Sequence, residues 1–176
     1  MSESRAAAFE RVFRADHVAL VAFCYRRVED YELARDLTAE TFRIAWQRWE
    51  EPRRSDRAWL FGVARNLIGN EYTRRRSPQP VSIHGYPSHV EPRDDRADAG
   101  FDAIEVRAAV TALEPIHQEV LQLTYWDGLS AADAAQTLGI TTAAVWVRLT
   151  RARRAFALAW QDNTTHSRTA STRTTS

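Results

Sequence analysis

The chain has 176 residues, of which 44% are hydrophobic and 27% charged, and its formal net charge is +1. This length can supply one ordinary core or two small ones, and so small a net charge predicts no partner by itself. The single cysteine, Cys24, excludes an intrachain disulfide and a zinc site built from cysteines. Because Cys24 lies in an apolar run, we expect a buried and unreactive thiol.

No segment approaches the roughly 20 apolar residues that a membrane-spanning helix needs, and the N-terminus lacks the apolar core of a signal peptide. The sequence therefore predicts a cytoplasmic protein without membrane insertion. Acidic residues dominate over 29–51, whereas arginines dominate over 53–76 and again over 148–154. The chain contains no lysine, so the clustering of arginine, rather than its presence, indicates where an anionic partner binds.

The N-terminal part has the periodicity of helices. Phe9, Val12 and Phe13 give one apolar face, and it is repeated at three- and four-residue steps by Val18, Val21, Tyr25 and Val28. A break near Glu29 and Asp30 precedes a second helix over about 32–49. One apolar stripe of that helix comprises Leu33, Leu37, Thr41 and Ile44, and another comprises Phe42, Trp46 and Trp49. Since a surface helix needs only one stripe, the second must meet a further helix of the same domain or a partner protein.

Helical periodicity resumes at Trp59, which we expect in the core. It ends in the arginine-rich segment over 73–76. Residues 77–100 are rich in proline and aspartate and predict a linker. Apolar steps return near Phe101, whereas the end of the chain is rich in Ser, Thr and Arg. The sequence thus predicts an all-α fold with two small helical domains, over 5–76 and 104–161, joined by a flexible linker over 77–103 and followed by a disordered tail over 162–176.

Residues 129–145 have the pattern of a helix-turn-helix motif. Ser130 is a natural N-cap with Asp133 three residues later, Gly139 suits the tight turn, and Ile140 fills its corner. The second helix would bury Val145, Leu149, Ala152 and Phe156. Its other face carries Ala143, Trp146, Val147, Thr150, Arg151 and Arg154, an arrangement suited to the major groove of DNA. The alternative is a helical hairpin whose arginines are simply solvated.

Three segments together resemble the extracytoplasmic-function (ECF) sigma factors, a family of bacterial RNA polymerase subunits. Residues 36–46 resemble the second conserved region of the family, residues 57–67 the promoter-melting segment that follows it, and residues 113–154 the fourth region. The resemblance implies a dissociable, non-catalytic specificity subunit that directs promoter-specific transcription initiation. It also implies four partners, namely the clamp coiled coil of the largest polymerase subunit, the flap of the second-largest subunit, promoter DNA and an anti-sigma factor.

The resemblance also assigns residues to each role. It places core-polymerase binding on Asp36, Leu37, Glu40, Thr41 and Phe42. Recognition and melting of the minus-ten element fall to Arg53, Arg54, Ser55, Asp56, Arg57, Arg65, Asn66, Arg74 and Arg75. Recognition of the minus-thirty-five element falls to Thr142, Ala143, Trp146, Val147, Arg148, Thr150, Arg151 and Arg154. The chain departs from the family at Ala39, Asn70, Trp146 and Val147, where glutamine, aspartate, lysine and serine are usual.

Two other classes of protein compete with this interpretation. A DNA-binding regulator that does not bind polymerase would explain the second domain but would leave the acidic and tryptophan-rich segments of the first domain unexplained. An enzyme is disfavoured because the five histidines are scattered and neither a phosphate-binding glycine loop nor a nucleophile elbow is present. We expect no catalytic residue, no metal and no cofactor.

Overall fold

The computed structural model describes the backbone of residues 4–50, 54–76 and 101–172, and the side chains of these except residues 76, 101–105 and 162–172. All regular structure in these ranges is helical, which confirms the all-α prediction. The chain divides into two compact units. The greater part of the predicted linker, residues 77–100, lies outside the described residues.

Three mutually packed helices form the first unit: α1 (Arg5–Val28), α2 (Tyr31–Gln47) and α3 (Asp56–Arg76). The predicted break between the first two is confirmed. Glu29 ends α1 in the left-handed conformation with φ of 53°, and the Asp30 carboxylate caps α2 by accepting a hydrogen bond from the backbone N–H of Leu33 at 3.0 Å.

The buried face of α1 comprises Val12, Asp16, Leu20, Phe23 and Cys24, so the prediction of a buried Cys24 is confirmed. The prediction that Val18 belongs to the packed face is wrong, because Val18 is 77% exposed, whereas Val21, Tyr25 and Val28 are half-buried. Asp16 occupies the core position between Val12 and Leu20, and this charge interrupts the apolar periodicity that marks a buried face.

The second apolar stripe of α2 packs against α1. The ring of Phe9 lies with its centroid 6.1 Å from that of Phe42, 5.0 Å from Trp46 and 5.1 Å from Trp49. Phe13 adds a second contact to Phe42 at 4.7 Å. These edge and tilted geometries are those that aromatic pairs favour. Of the two occupants expected for this stripe, the structure therefore shows the helix of the same domain.

The second unit contains α4 (Phe101–Thr111), α5 (Pro115–Leu121), a π-helical turn (Gln122–Trp126), the greater part of α6 (Ala131–Leu138) and α7 (Thr142–Thr172). Helix α7 packs against α4 and α5. Pro115 opens α5 at the position where a missing N–H costs nothing. Gly128, with φ of 64°, follows the π-helical turn in the left-handed conformation expected of a glycine at the end of this helix.

The second unit differs from the sequence prediction in three places. Helix α4 begins at Phe101, inside the predicted linker 77–103. The predicted helix through Leu123 changes to π-helical hydrogen bonding at Gln122. Helix α7 continues to Thr172, through most of the segment predicted to be disordered. Extending an existing helix adds one hydrogen bond for each residue ordered, so a polar sequence can continue a helix that it could not nucleate.

Candidate functional site

Caps and one glycine build the turn between α6 and α7. The Ser130 hydroxyl accepts a hydrogen bond from the Asp133 N–H at 3.1 Å and donates one to the Asp133 carboxylate at 2.7 Å, which confirms the predicted capping-box variant. Gly139 has φ of 66°. The Thr141 hydroxyl then caps α7 by accepting from the Ala144 N–H at 3.1 Å. The two helices therefore have the helix-turn-helix arrangement that the sequence predicts.

Helix α7 separates an apolar face from a DNA-facing candidate surface. Val145, Leu149 and Ala152 are buried, as predicted. Most of the residues assigned to the minus-thirty-five element are exposed, namely Thr142, Ala143, Trp146, Val147, Thr150, Arg151 and Arg154, and Arg148 is half-buried. The structure thus brings all eight onto one helix, with Arg148 at the edge of the apolar face.

Tyr125 lies beside this basic helix, and the sequence alone did not identify it. Its hydroxyl accepts a hydrogen bond from Arg153 Nε at 2.8 Å, and the Arg153 guanidinium lies 5.7 Å from the centre of the tyrosine ring. Tyr125 belongs to the π-helical turn, whose register the apolar periodicity does not predict. This contact joins Arg153 of α7 to the π-helical turn.

The five residues assigned to polymerase binding fall into two groups. Leu37, Thr41 and Phe42 are buried, and the Thr41 hydroxyl donates to the Leu37 carbonyl at 2.7 Å. These three side chains stabilise the first unit and are not available to a partner in this conformation. Asp36 is exposed and Glu40 is partly exposed, one helical turn apart on the same side of α2.

Glu40 is held ionised by a neighbour on its own helix. Arg43 donates to both carboxylate oxygens, with Nε 2.7 Å from Oε2. These hydrogen bonds lower the pKa of Glu40 below its usual value. A planar guanidinium binds a carboxylate in this two-pronged way on a partner as well as within one helix. Glu40 is therefore ionised at neutral pH, and the charge of Arg43 offsets part of its negative charge.

Of the residues assigned to the minus-ten element, Arg53 lies outside the described residues. Arg54 is exposed, whereas the Ser55 hydroxyl caps α3 by accepting from the Ala58 N–H at 3.2 Å. Asp56 opens α3, where a negative charge is favoured by the helix dipole. Ser55 and Asp56 thus have a local structural role at the start of this helix.

Arg57 is joined to α1 rather than directed into solvent. Its guanidinium binds the carboxylate of Asp16 and lies 5.0 Å from the centre of the Phe61 ring. Asp16 is only 5% exposed. Burial raises the pKa of the Asp16 carboxyl, and the charge and hydrogen bond of Arg57 act in the opposite direction. Arg57 therefore compensates a buried charge, a role that the sequence analysis missed.

The C-terminal half of α3 carries the other arginines assigned to DNA. Arg65 is half-buried and Asn66 is exposed. Arg74 and Arg75 both bind Glu71, at 2.9 Å each. Hydrogen bonds from Arg74 and Arg75 lower the pKa of Glu71, so its charge offsets part of theirs at neutral pH. The three- and four-residue spacing of Glu71 to these arginines is a signal that could have revealed the pairing.

Trp59, expected in the core, is half-buried. Within the described part of the chain, His, Cys, Asp and Glu side chains form no group able to hold a metal ion. Over the same residues, no helix is both long and apolar enough to cross a membrane.

Comparisons with known proteins match both units to one family. Residues 12–77 match sigma-70 region 2 and residues 103–156 match sigma-70 region 4. The ECF RNA polymerase sigma factor SigL of Mycobacterium tuberculosis is 34% identical over 163 residues, which cover 89% of this chain and 91% of SigL. The sigma factor CnrH of Cupriavidus metallidurans is 30% identical over 130 residues, covering 67% of this chain and 68% of CnrH.

Solved structures have the same fold. CnrH in complex with the cytosolic domain of CnrY aligns with a TM-score of 0.63 at 25% identity, covering 88% of each chain. The sigma factor RpoE in complex with the anti-sigma factor NepR, from Bartonella quintana, aligns with a TM-score of 0.61 at 23% identity, covering 88% of this chain and 97% of RpoE.

Two helical units that match regions 2 and 4 in this order define a sigma subunit of RNA polymerase. Within that class, the chain belongs to the ECF sigma factors. It is accordingly a non-catalytic subunit that acts in transcription initiation and contains a DNA-binding helix-turn-helix. The regulator and enzyme alternatives are set aside, because neither accounts for a region 2 match in the first unit.

Proposed function

We propose that the first unit binds the clamp coiled coil of the largest polymerase subunit and melts the minus-ten element, while the second binds the flap of the second-largest subunit and the minus-thirty-five element. The observation that supports these two roles is the opposite charge of two surfaces. Asp36 and Glu40 present negative charge on α2, and Arg148, Arg151 and Arg154 present positive charge on α7. Such a molecule would act in the cytoplasm, where polymerase and chromosome meet.

On α2, the proposal rests on Asp36 and Glu40 alone, because the neighbouring apolar residues are buried. Two carboxylates one turn apart match basic side chains at the same spacing on a partner helix. Within the first unit, Arg54, Arg65 and Asn66 are the candidates for contact with the melted strand, since each retains some exposure. Arg74 and Arg75 could join them if DNA displaced Glu71.

An anti-sigma factor is a further proposed partner. CnrH and RpoE were each solved with a bound protein, the cytosolic domain of CnrY and the anti-sigma factor NepR respectively. Exposed apolar side chains such as Val18 in the first unit and Trp146 in the second would suit a protein that masks these surfaces.

Charge reversal on α2 tests polymerase binding. We expect Asp36→Arg combined with Glu40→Arg to weaken binding of core polymerase by about tenfold or more, because like charges then face the clamp. The measurement is competition against a labelled sigma factor for core enzyme. Glu10→Arg on α1 is the charge-matched control for each of the two single reversals, since Glu10 is also exposed and paired with an arginine of its own helix. Equal affinity of both variants would contradict docking through Asp36 and Glu40.

A further inference from the structure

The outer face of α7 carries a small apolar surface near the start of the helix, just before its arginines. Trp146 is 54% exposed and Val147 is 51% exposed. The two side chains are adjacent in sequence, one turn after Ala143, and all three lie on the exposed side of the helix. Exposed apolar side chains grouped in this way mark a contact surface more often than isolated ones do.

The charge around this surface indicates what covers it. Arg151 and Arg154 follow on the same exposed side, and Arg148 lies at its edge. Arginine forks bind phosphate groups well, so a polyanion is favoured over an apolar protein surface or a membrane. The N-terminal turns of the second helix in a helix-turn-helix are those that reach base edges. Trp146 and Val147 therefore lie where bases, and not phosphates, would be contacted.

Hydrogen-bonding groups are scarce on this part of the helix. Ala143 and Val147 have no polar side-chain atom, and the Trp146 indole N–H can only donate. The Thr150 hydroxyl donates to the Trp146 carbonyl at 2.9 Å, so its hydrogen is used within the helix. The feature of the major groove that apolar side chains can read is the 5-methyl group of thymine.

We propose that Trp146 and Val147 determine promoter specificity by apolar contact with thymine methyl groups in the minus-thirty-five element. This inference rests on the proposed function of the second unit. The arginines then increase affinity by binding phosphate groups, and the two apolar side chains determine which bases are preferred. The minus-thirty-five element selected by this protein consequently contains thymine, on either strand, at the positions that face Trp146 and Val147.

Replacing thymine by deoxyuridine removes only the methyl group and leaves the protein intact. Holoenzyme formed from core polymerase and the full chain first selects its element from duplexes randomised over the minus-thirty-five positions. Each selected thymine is then replaced singly by deoxyuridine, and dissociation constants are compared. We expect a loss of about fourfold for each methyl group in contact, the value for one buried CH2 group. Deoxyuridine outside the element is the control and should have no effect.

Protein variants separate this inference from the proposed function. Trp146→Ala and Val147→Ala should abolish the difference between thymine and deoxyuridine, whereas Arg151→Ala should weaken both duplexes equally. Binding that depends on Arg151 but is indifferent to every methyl group would overturn the inference and leave the proposed function standing. Absence of any sequence selection at the minus-thirty-five positions, with Arg151→Ala also without effect, would overturn both.

Discussion

Arg57 has a structural role that its place in the family motif does not reveal. The resemblance assigns it to the minus-ten element, and in the structure its guanidinium binds the almost fully buried carboxylate of Asp16. The sequence contains a hint of this pair, because Asp16 lies four residues from both Val12 and Leu20, in the middle of a buried face. The partner is 41 residues away in the chain, and only the packing of α1 against α3 reveals it.

We predict that Arg57→Met destabilises the first unit by about 2 kcal/mol at neutral pH, because Asp16 then remains buried without a cation. This value lies below that of a fully buried pair, since the Arg57 side chain is 32% exposed. The additional change Asp16→Asn should restore most of the loss. Urea unfolding of the four proteins in this double-mutant cycle measures the effect, and a loss that Asp16→Asn leaves unrelieved would contradict the assignment.

The destabilisation caused by Arg57→Met should depend on pH in a predictable direction. Burial raises the pKa of Asp16 above 3.8 in the folded protein, so the folded state holds this proton more tightly than the unfolded state does. The stability associated with Asp16 is therefore present at low pH and is lost as the pH rises through the raised pKa. Without Arg57 this loss is larger, so the destabilisation by Arg57→Met should shrink on acidification.

Helix boundaries were well predicted wherever a side chain or a glycine encodes them. Asp30, Ser130 and Gly139 each act at the predicted place. Two features of the second unit could not be predicted from composition. The π-helical turn over Gln122–Trp126 has no residue signature of its own, and the end of α7 depends on helix propagation rather than on apolar residues.

Two glycines provide a matched test at the level of helices and turns. Gly139 adopts φ of 66°, where a Cβ would be strained although no atom lies within 4 Å of it. We expect Gly139→Ala to destabilise the helix-turn-helix by about 1 kcal/mol. Gly69, within α3, also has nothing within 4 Å, so Gly69→Ala should stabilise the first unit by about 0.5–1 kcal/mol. Thermal unfolding of the two variants should shift in opposite directions, and a shift in the same direction would contradict the conformational explanation.

At the scale of the whole molecule, the sequence predicted the class of protein better than the residues that make its contacts. The spaced motifs of both units suffice to indicate an ECF sigma factor, and the matches to regions 2 and 4 confirm it. Three of the five residues assigned to polymerase binding, Leu37, Thr41 and Phe42, are instead buried. Helix α2 has two apolar stripes in sequence, and residues of both are buried within the first unit. Whether a second stripe packs inside the domain or contacts a partner depends on tertiary packing, which the sequence does not show.

Run-off transcription with core polymerase on a genomic promoter library measures promoter-specific initiation itself. We expect the full chain to assemble with core enzyme, to be displaced by an excess of another sigma factor, and to initiate at a restricted set of promoters. Core enzyme alone should not initiate at those promoters. If a complex with core polymerase forms and remains intact but initiates at no promoter in the library, the role in promoter-specific initiation is contradicted.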